Sequence, residues 1–70
     1  MMPLLMTKPG ADCEICRVQG RDQTKQFLEK LGFVPGERVT VVSENAGNLI
    51  VNVKNCRVAL SRDMALKIMV

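Results

Sequence analysis

The stretch Leu31-Gly32-Phe33-Val34-Pro35-Gly36 limits what this chain can fold into more than any other. It must end a helix, and it cannot resume one. From Gln23 to Leu31 there is no Gly and no Pro, and Phe27, Leu28 and Leu31 gather on one stripe, which predicts a helix there. At Gly32 the backbone needs a left-handed residue, and glycine supplies one without a Cβ clash. Phe33 then falls where a Schellman ending packs its hydrophobe against the third residue from the cap, here Leu28. Pro35 bars a return to helix, and Gly36 frees the turn into the next strand. Asp22 is placed to cap the helix, and Lys30 lies in its last turn, where the helix dipole favours a cation.

Seventy residues make one domain, 1–70, whose core must be small. The 47% hydrophobic and 24% charged residues are those of a folded domain rather than a disordered chain. No apolar run approaches the roughly 18 to 20 residues that span a bilayer. Met1 to Met6 is apolar but short, with no preceding cation and no small-residue cleavage site, so it does not read as a signal peptide. Residues 1–8 are expected to form a loosely ordered tail. Three cysteines, an odd count, suit free thiols in a reducing cytoplasm better than a secreted disulfide scaffold.

Pro9-Gly10 opens a first strand from about Asp12 to Val18, with Ile15 on one face and Cys16 and Val18 on the other. After the helix, Arg38 to Ser43 carries the β-branched Val39, Val41 and Val42. Asn45-Ala46-Gly47-Asn48 has turn composition. Leu49 to Val53 alternates, with Leu49, Val51 and Val53 on one face. Lys54-Asn55 reads as a two-residue hairpin loop, since Asn tolerates positive φ. Cys56 to Leu60 answers it, with Cys56, Val58 and Leu60 facing inward. Ser61 caps a short helical turn through Ala65, and Lys67 to Val70 forms a last strand. The expected fold is mainly β: a small five-stranded barrel with one helix inserted after the first strand and a short helical turn before the last.

Catalytic chemistry finds little to work with. There is no His, so neither a hydrolytic triad nor an imidazole base is available. The seven carboxylates are scattered singly among ten Lys and Arg, and no phosphate-cradling P-loop run exists. We expect no enzyme and no cofactor. Cys13-x-x-Cys16 invites a metal or redox reading, with Cys56 as a third thiolate. Within a strand, however, residues three apart point to opposite faces, so Cys13, Cys16 and Cys56 are weak metal candidates. No nucleic-acid partner is expected: both Phe residues are wanted by the helix and its cap, leaving no stacking platform, and the cations alternate with Asp and Glu instead of clustering.

The ordered set G-x(4)-I, G-x-D, F-L-x-x-L-G-F-x-P-G-x-x-V, G-N-L-I-V-x-V, R-V-A-L and A-x-x-I-x-V resembles the FeoA family. The matching positions are Gly10 and Ile15; Gly20 and Asp22; Phe27 through Gly36 with Val39; Gly47 through Val53; Arg57 through Leu60; and Ala65, Ile68 and Val70. The resemblance implies an SH3-like barrel and a non-enzymatic accessory role in bacterial ferrous-iron uptake. The implied partner is the FeoB permease, which carries a cytosolic GTPase domain, and the implied place is the cytoplasm beside the inner membrane. A homologous module forms the C-terminal domain of some iron-dependent repressors, but this chain lacks their winged-helix and metal-sensing regions. The cysteines are no part of the family pattern, and a small thiolate protein binding iron or zinc is the alternative reading.

Partner contact is expected at the corner Phe33, Val34, Pro35 and Gly36, with Val34 the best single candidate. The hairpin with Asn48 and the outer side of Ile50 is a second expected contact. An open sheet edge there would also let a second copy pair, giving a weak homodimer. The five Met residues cluster toward the termini, where Met64 and Met69 are expected to fill core.

Overall fold

A computed structural model describes all residues, 1–70. The chain runs through a 3-10 turn over Leu4–Met6, then β1 (Asp12–Glu14), β2 (Arg17–Val18), α1 (Asp22–Leu31), β3 (Arg38–Asn45), β4 (Asn48–Val53), β5 (Cys56–Leu60), α2 (Arg62–Lys67) and β6 (Ile68–Met69). The strands form two antiparallel sheets, one ordered β1-β3-β4-β5 and one pairing β2 with β6. The mainly β architecture and the inserted helix are as expected. The sheet is not closed on itself, and there are six strands rather than five.

The extra strand comes from a change of partner within the first extended run. Ile15 still bonds toward β3, donating to the Glu37 carbonyl at 2.8 Å and accepting from Gly36 at 2.8 Å. The next residue, Cys16, donates instead to the Met69 carbonyl of β6 at 2.8 Å. The chain therefore bends between β1 and β2 and passes from one sheet to the other. That bend turns both Ile15 and Val18 inward, whereas a continuous strand would have set them on opposite faces.

Both hairpins have two-residue turns with left-handed backbone, at Ala46 (φ 53°) and Gly47 (φ 85°) and at Lys54 (φ 49°) and Asn55 (φ 62°). Such turns match the twist of the strands they join. One residue of β3, Val42, is a bulge: Val41 pairs with Val51 and Ser43 with Ile50. Leu49, Val51 and Val53 are buried as the alternation predicts. Cys56 is not: β5 begins with it exposed, and only Leu60 of the strand is fully inside.

Helix α1 ends as the sequence demands. Gly32 adopts φ 106°, its N–H donates to Glu29, and the Phe33 N–H donates to Leu28 at 3.0 Å. This is the paired bonding of a Schellman motif, and it delivers Phe33 into the core at 0% exposure. The helix start differs from expectation. Arg21 occupies the N-cap position without a side-chain bond, and Asp22 is the first helical residue, where its charge faces the positive end of the dipole. The inner face of α1 is also narrower, with only Leu28 buried and Leu31 and Thr24 partly so; Phe27 is 52% exposed. Ser61 caps α2, accepting from the Met64 N–H at 3.3 Å, and α2 extends to Lys67 rather than stopping at Ala65.

Thirteen buried side chains form one cluster to which both helices and every strand but β1 contribute. The expected loose N-terminal tail is instead part of it. Leu4 is fully buried, Pro3 bridges to Met69, and Met2 and Val70 exchange backbone hydrogen bonds at 2.9 and 2.8 Å. Met64 and Met69 are partly buried, while Met1, Met2 and Met6 stand in solvent.

Candidate functional site

The two expected contact regions lie at opposite ends of one strand. The corner at Gly36 precedes β3 and the hairpin tip at Ala46-Gly47 follows it. Eight residues of strand span about 26 Å, close to the 28 Å long axis of the whole molecule. A partner that grips the corner therefore does not also rest on the hairpin unless it reaches across the full protein.

The corner is rigid by construction. Four consecutive donors fix it: Phe33 to Leu28, Val34 to Gly32 at 3.1 Å, Gly36 to Ile15, and Glu37 to Val34 at 3.1 Å. Of the expected contact residues, Phe33 is withdrawn into the core and cannot touch a partner, since α1's ending spends its ring on internal packing. Val34 is half-buried, and Pro35 and Gly36 are exposed. Beside them lies an open depression lined by Pro35, Cys16, Arg17, Gly20, Asp22 and Lys25, among others. The corner thus offers an apolar rim, Val34 and Pro35, next to two cations and one carboxylate.

At the other end of β3, Asn48 is exposed and Ile50 is half-buried on the outer face of the sheet. An open edge of the expected kind is present on β3 past Val41, where β1 no longer reaches, but not on β4. β4 lies between β3 and β5, so its backbone is bonded on both sides.

The outer face of the same sheet holds a feature that the sequence reading missed. Arg38, Lys54 and Arg57 converge with Glu37, Thr40, Asn52 and Asn55 around a wide polar cup. They are dispersed in sequence and meet only because the register sets Thr40 opposite Asn52 and Asn52 opposite Arg57. The predicted turn at Lys54-Asn55 was the available signal, since it dictates the second of those pairs. Two of the three cations are already answered, Arg38 by Asp12 at 3.5 Å and Lys54 by Glu37 at 4.0 Å. These exposed ion pairs add little stability. Arg57 has no carboxylate within that range.

The cysteines do not form a common site. Cys13 is half-buried on β1; Cys16, past the bend, and Cys56, at the start of β5, are exposed. Cys13 pairs with Val39, Val39 with Val53 and Val53 with Cys56, so three strand spacings, about 14 Å, separate the outer two. No three Cys, Asp or Glu side chains gather in a way that could hold a metal ion. Nor is any helix long and apolar enough to cross a membrane.

The FeoA domain model matches residues 2–70. The chain belongs to the FeoA family. Among curated proteins it is 29% identical over 70 residues to one from Methanocaldococcus jannaschii named for Fe(2+) transport (transport protein A), covering all of this chain and 85% of that one. Among solved structures it superposes on the zinc complex of Stenotrophomonas maltophilia FeoA, described as a procaryotic SH3 domain protein. That match has a TM-score of 0.87 and 28% identity, over 99% of this chain and 88% of the other. A crystal structure of an iron uptake regulatory protein, FeoA, gives 0.88 and 26% over 97% and 90%. A manganese-dependent transcriptional repressor shares the fold at 0.86 with 20% identity, this chain covering 94% of itself but 38% of the repressor. The expected SH3-like, mainly β fold is therefore correct, with its strands divided between two sheets.

Proposed function

We propose that this FeoA-family chain is a non-enzymatic docking accessory of ferrous-iron uptake that acts on the cytosolic side of a FeoB-type permease. One observation carries the reading: a whole-chain FeoA match joined to a rigid corner that presents Val34 and Pro35 outward. Small apolar groups on a hydrogen-bonded frame can bind a protein surface without an ordering cost, because the frame is already fixed. Arg17 and Lys25 beside that rim suit a partner surface with complementary acids. The thiolate alternative has less support, since Cys13, Cys16 and Cys56 do not converge.

The test is a chemical-shift titration of isotope-labelled protein with the cytosolic GTPase region of the cognate permease. The expected result is a set of shifts confined to Val34, Pro35-Gly36 and the adjoining residues from Cys16 to Lys25. Val34→Glu should weaken that binding at least tenfold while moving stability by no more than about 1 kcal/mol, as for a surface substitution. Shifts centred on Asn48 and Ile50 would relocate the site to the hairpin. Binding of anaerobic ferrous iron by Cys13 and Cys16, with no response to the GTPase region, would overturn the docking reading.

A further inference from the structure

One edge of the four-stranded sheet is β5, and its geometry makes that edge complementary to itself. In a two-residue hairpin the flanking residues form a hydrogen-bonded pair, here Val53 with Cys56 across Lys54-Asn55. Bonded and non-bonded pairs then alternate, and the register has no shift. Val51–Val58 and Leu49–Leu60 are bonded toward β4, whereas Arg57 and Ala59 direct their backbone N–H and C=O groups away from it. No strand lies on that side, and no turn or loop bond involves either residue. Both residues are exposed.

The other edge of the sheet, β1, is guarded. It is three residues long and carries Asp12 and Glu14, both charged and exposed. Short, charged strands are the usual means of blocking edge pairing. β5 is longer and has one charge, Arg57.

We propose that two copies of this chain associate through β5, antiparallel, about a two-fold axis at Val58. Three symmetric registers can be compared. Centred on Arg57, the arrangement sets two guanidinium groups directly opposite each other, which is destabilising. Centred on Ala59, it sets Arg57 against Ser61, whose carbonyl is already taken by the Ala65 N–H of α2. Centred on Val58, Arg57 of each copy faces Ala59 of the other, and every outward donor and acceptor on both strands finds a partner. The Val58 register is the one in which the bonding phase and the charge agree. It joins the two four-stranded sheets into one continuous sheet.

Sedimentation across a wide concentration range is the first measurement, with the full chain. A weak monomer–dimer equilibrium is expected, and it should strengthen with added salt, because each copy carries +3 and the two Arg57 side chains are diagonal neighbours. Ala59→Pro removes one outward N–H without touching the β4 ladder, and should abolish the dimer with the monomer's circular dichroism retained. A second arm does not depend on that variant folding. In a background with Cys13, Cys16 and Cys56 changed to Ser, Val58→Cys should form a disulfide-linked dimer under mild oxidation. Facing residues of a non-bonded pair lie about 4.5 Å apart at Cα, within disulfide reach. Arg57→Cys in the same background should not cross-link. A monomer at all concentrations, a dimer that salt dissolves, or cross-linking of Arg57→Cys as readily as Val58→Cys would each overturn the proposal.

Discussion

Residues 3–7 and 31–36 are both short, mostly apolar stretches, and each sends one large side chain into the core. Leu4 and Phe33 are both at 0% exposure. They differ in how that burial is dictated. Phe33 is aimed inward by its own neighbours: the left-handed Gly32 and the two amide bonds back to Glu29 and Leu28 leave it no other direction. Leu4 is aimed by nothing local. Its 3-10 turn closes with Thr7 donating from both backbone and hydroxyl to the Leu4 carbonyl. The turn is then held in place by the remote partners Met69 and Val70. One burial follows from local chemistry, and the other from the finished fold.

That contrast can be broken by experiment. Total stability for a chain of this length is roughly 4–10 kcal/mol, so core truncations consume much of it. Phe33→Ala should cost about 3–5 kcal/mol and Leu4→Ala about 2–5 kcal/mol, both read by denaturant unfolding. A Leu4→Ala loss below about 1 kcal/mol would show the N-terminal segment to be a dispensable cover rather than a core element. Gly32→Ala is the next largest. It forces a side chain into φ 106° and brings a Cβ within 3.3 Å of the Lys54 side chain, for a loss of about 1–2 kcal/mol. Gly32→Asn should recover part of it, because Asn tolerates the left-handed region. Ser61→Ala is the smallest, about 1 kcal/mol, since it removes one exposed 3.3 Å cap from a helix of six residues. A null result there would mean that α2 is held by Ala65 and its packing alone.

The same division explains what could be read in advance. The helix stop, the two tight turns, the alternation of β4 and the Ser61 cap are each decided within a few residues, and each stands as expected. The bend at Ile15-Cys16, the burial of Leu4, the exposure of Cys56 and the open edge along β5 depend on which strands become neighbours. Phe27 shows the limit most clearly. Its place on the apolar side of α1 suggested burial, but the helix lies so shallowly on the sheets that only Leu28 is enclosed, and the ring is left in solvent. Only Phe33 of the two aromatic rings is therefore consumed by packing. The shape of the corner that carries Val34 and Pro35 was legible because it is set locally. The gathering of Arg38, Lys54 and Arg57 was not, because it needs two cross-strand registers at once.

The reciprocal bonds between Met2 and Val70 have a bearing on how such a unit can be carried by other proteins. An antiparallel pairing of residues 2 and 70 means that chain entering before Met2 and chain leaving after Val70 do so side by side, from one spot on the surface. A domain with adjoining entry and exit can be appended to a host, or spliced into an exposed loop, without prising the host's own elements apart. The repressor of which this fold makes up 38% is one host architecture in which it occurs. Portability of this kind is written into the meeting of the two ends, and it is independent of whatever the corner or the edge strand binds.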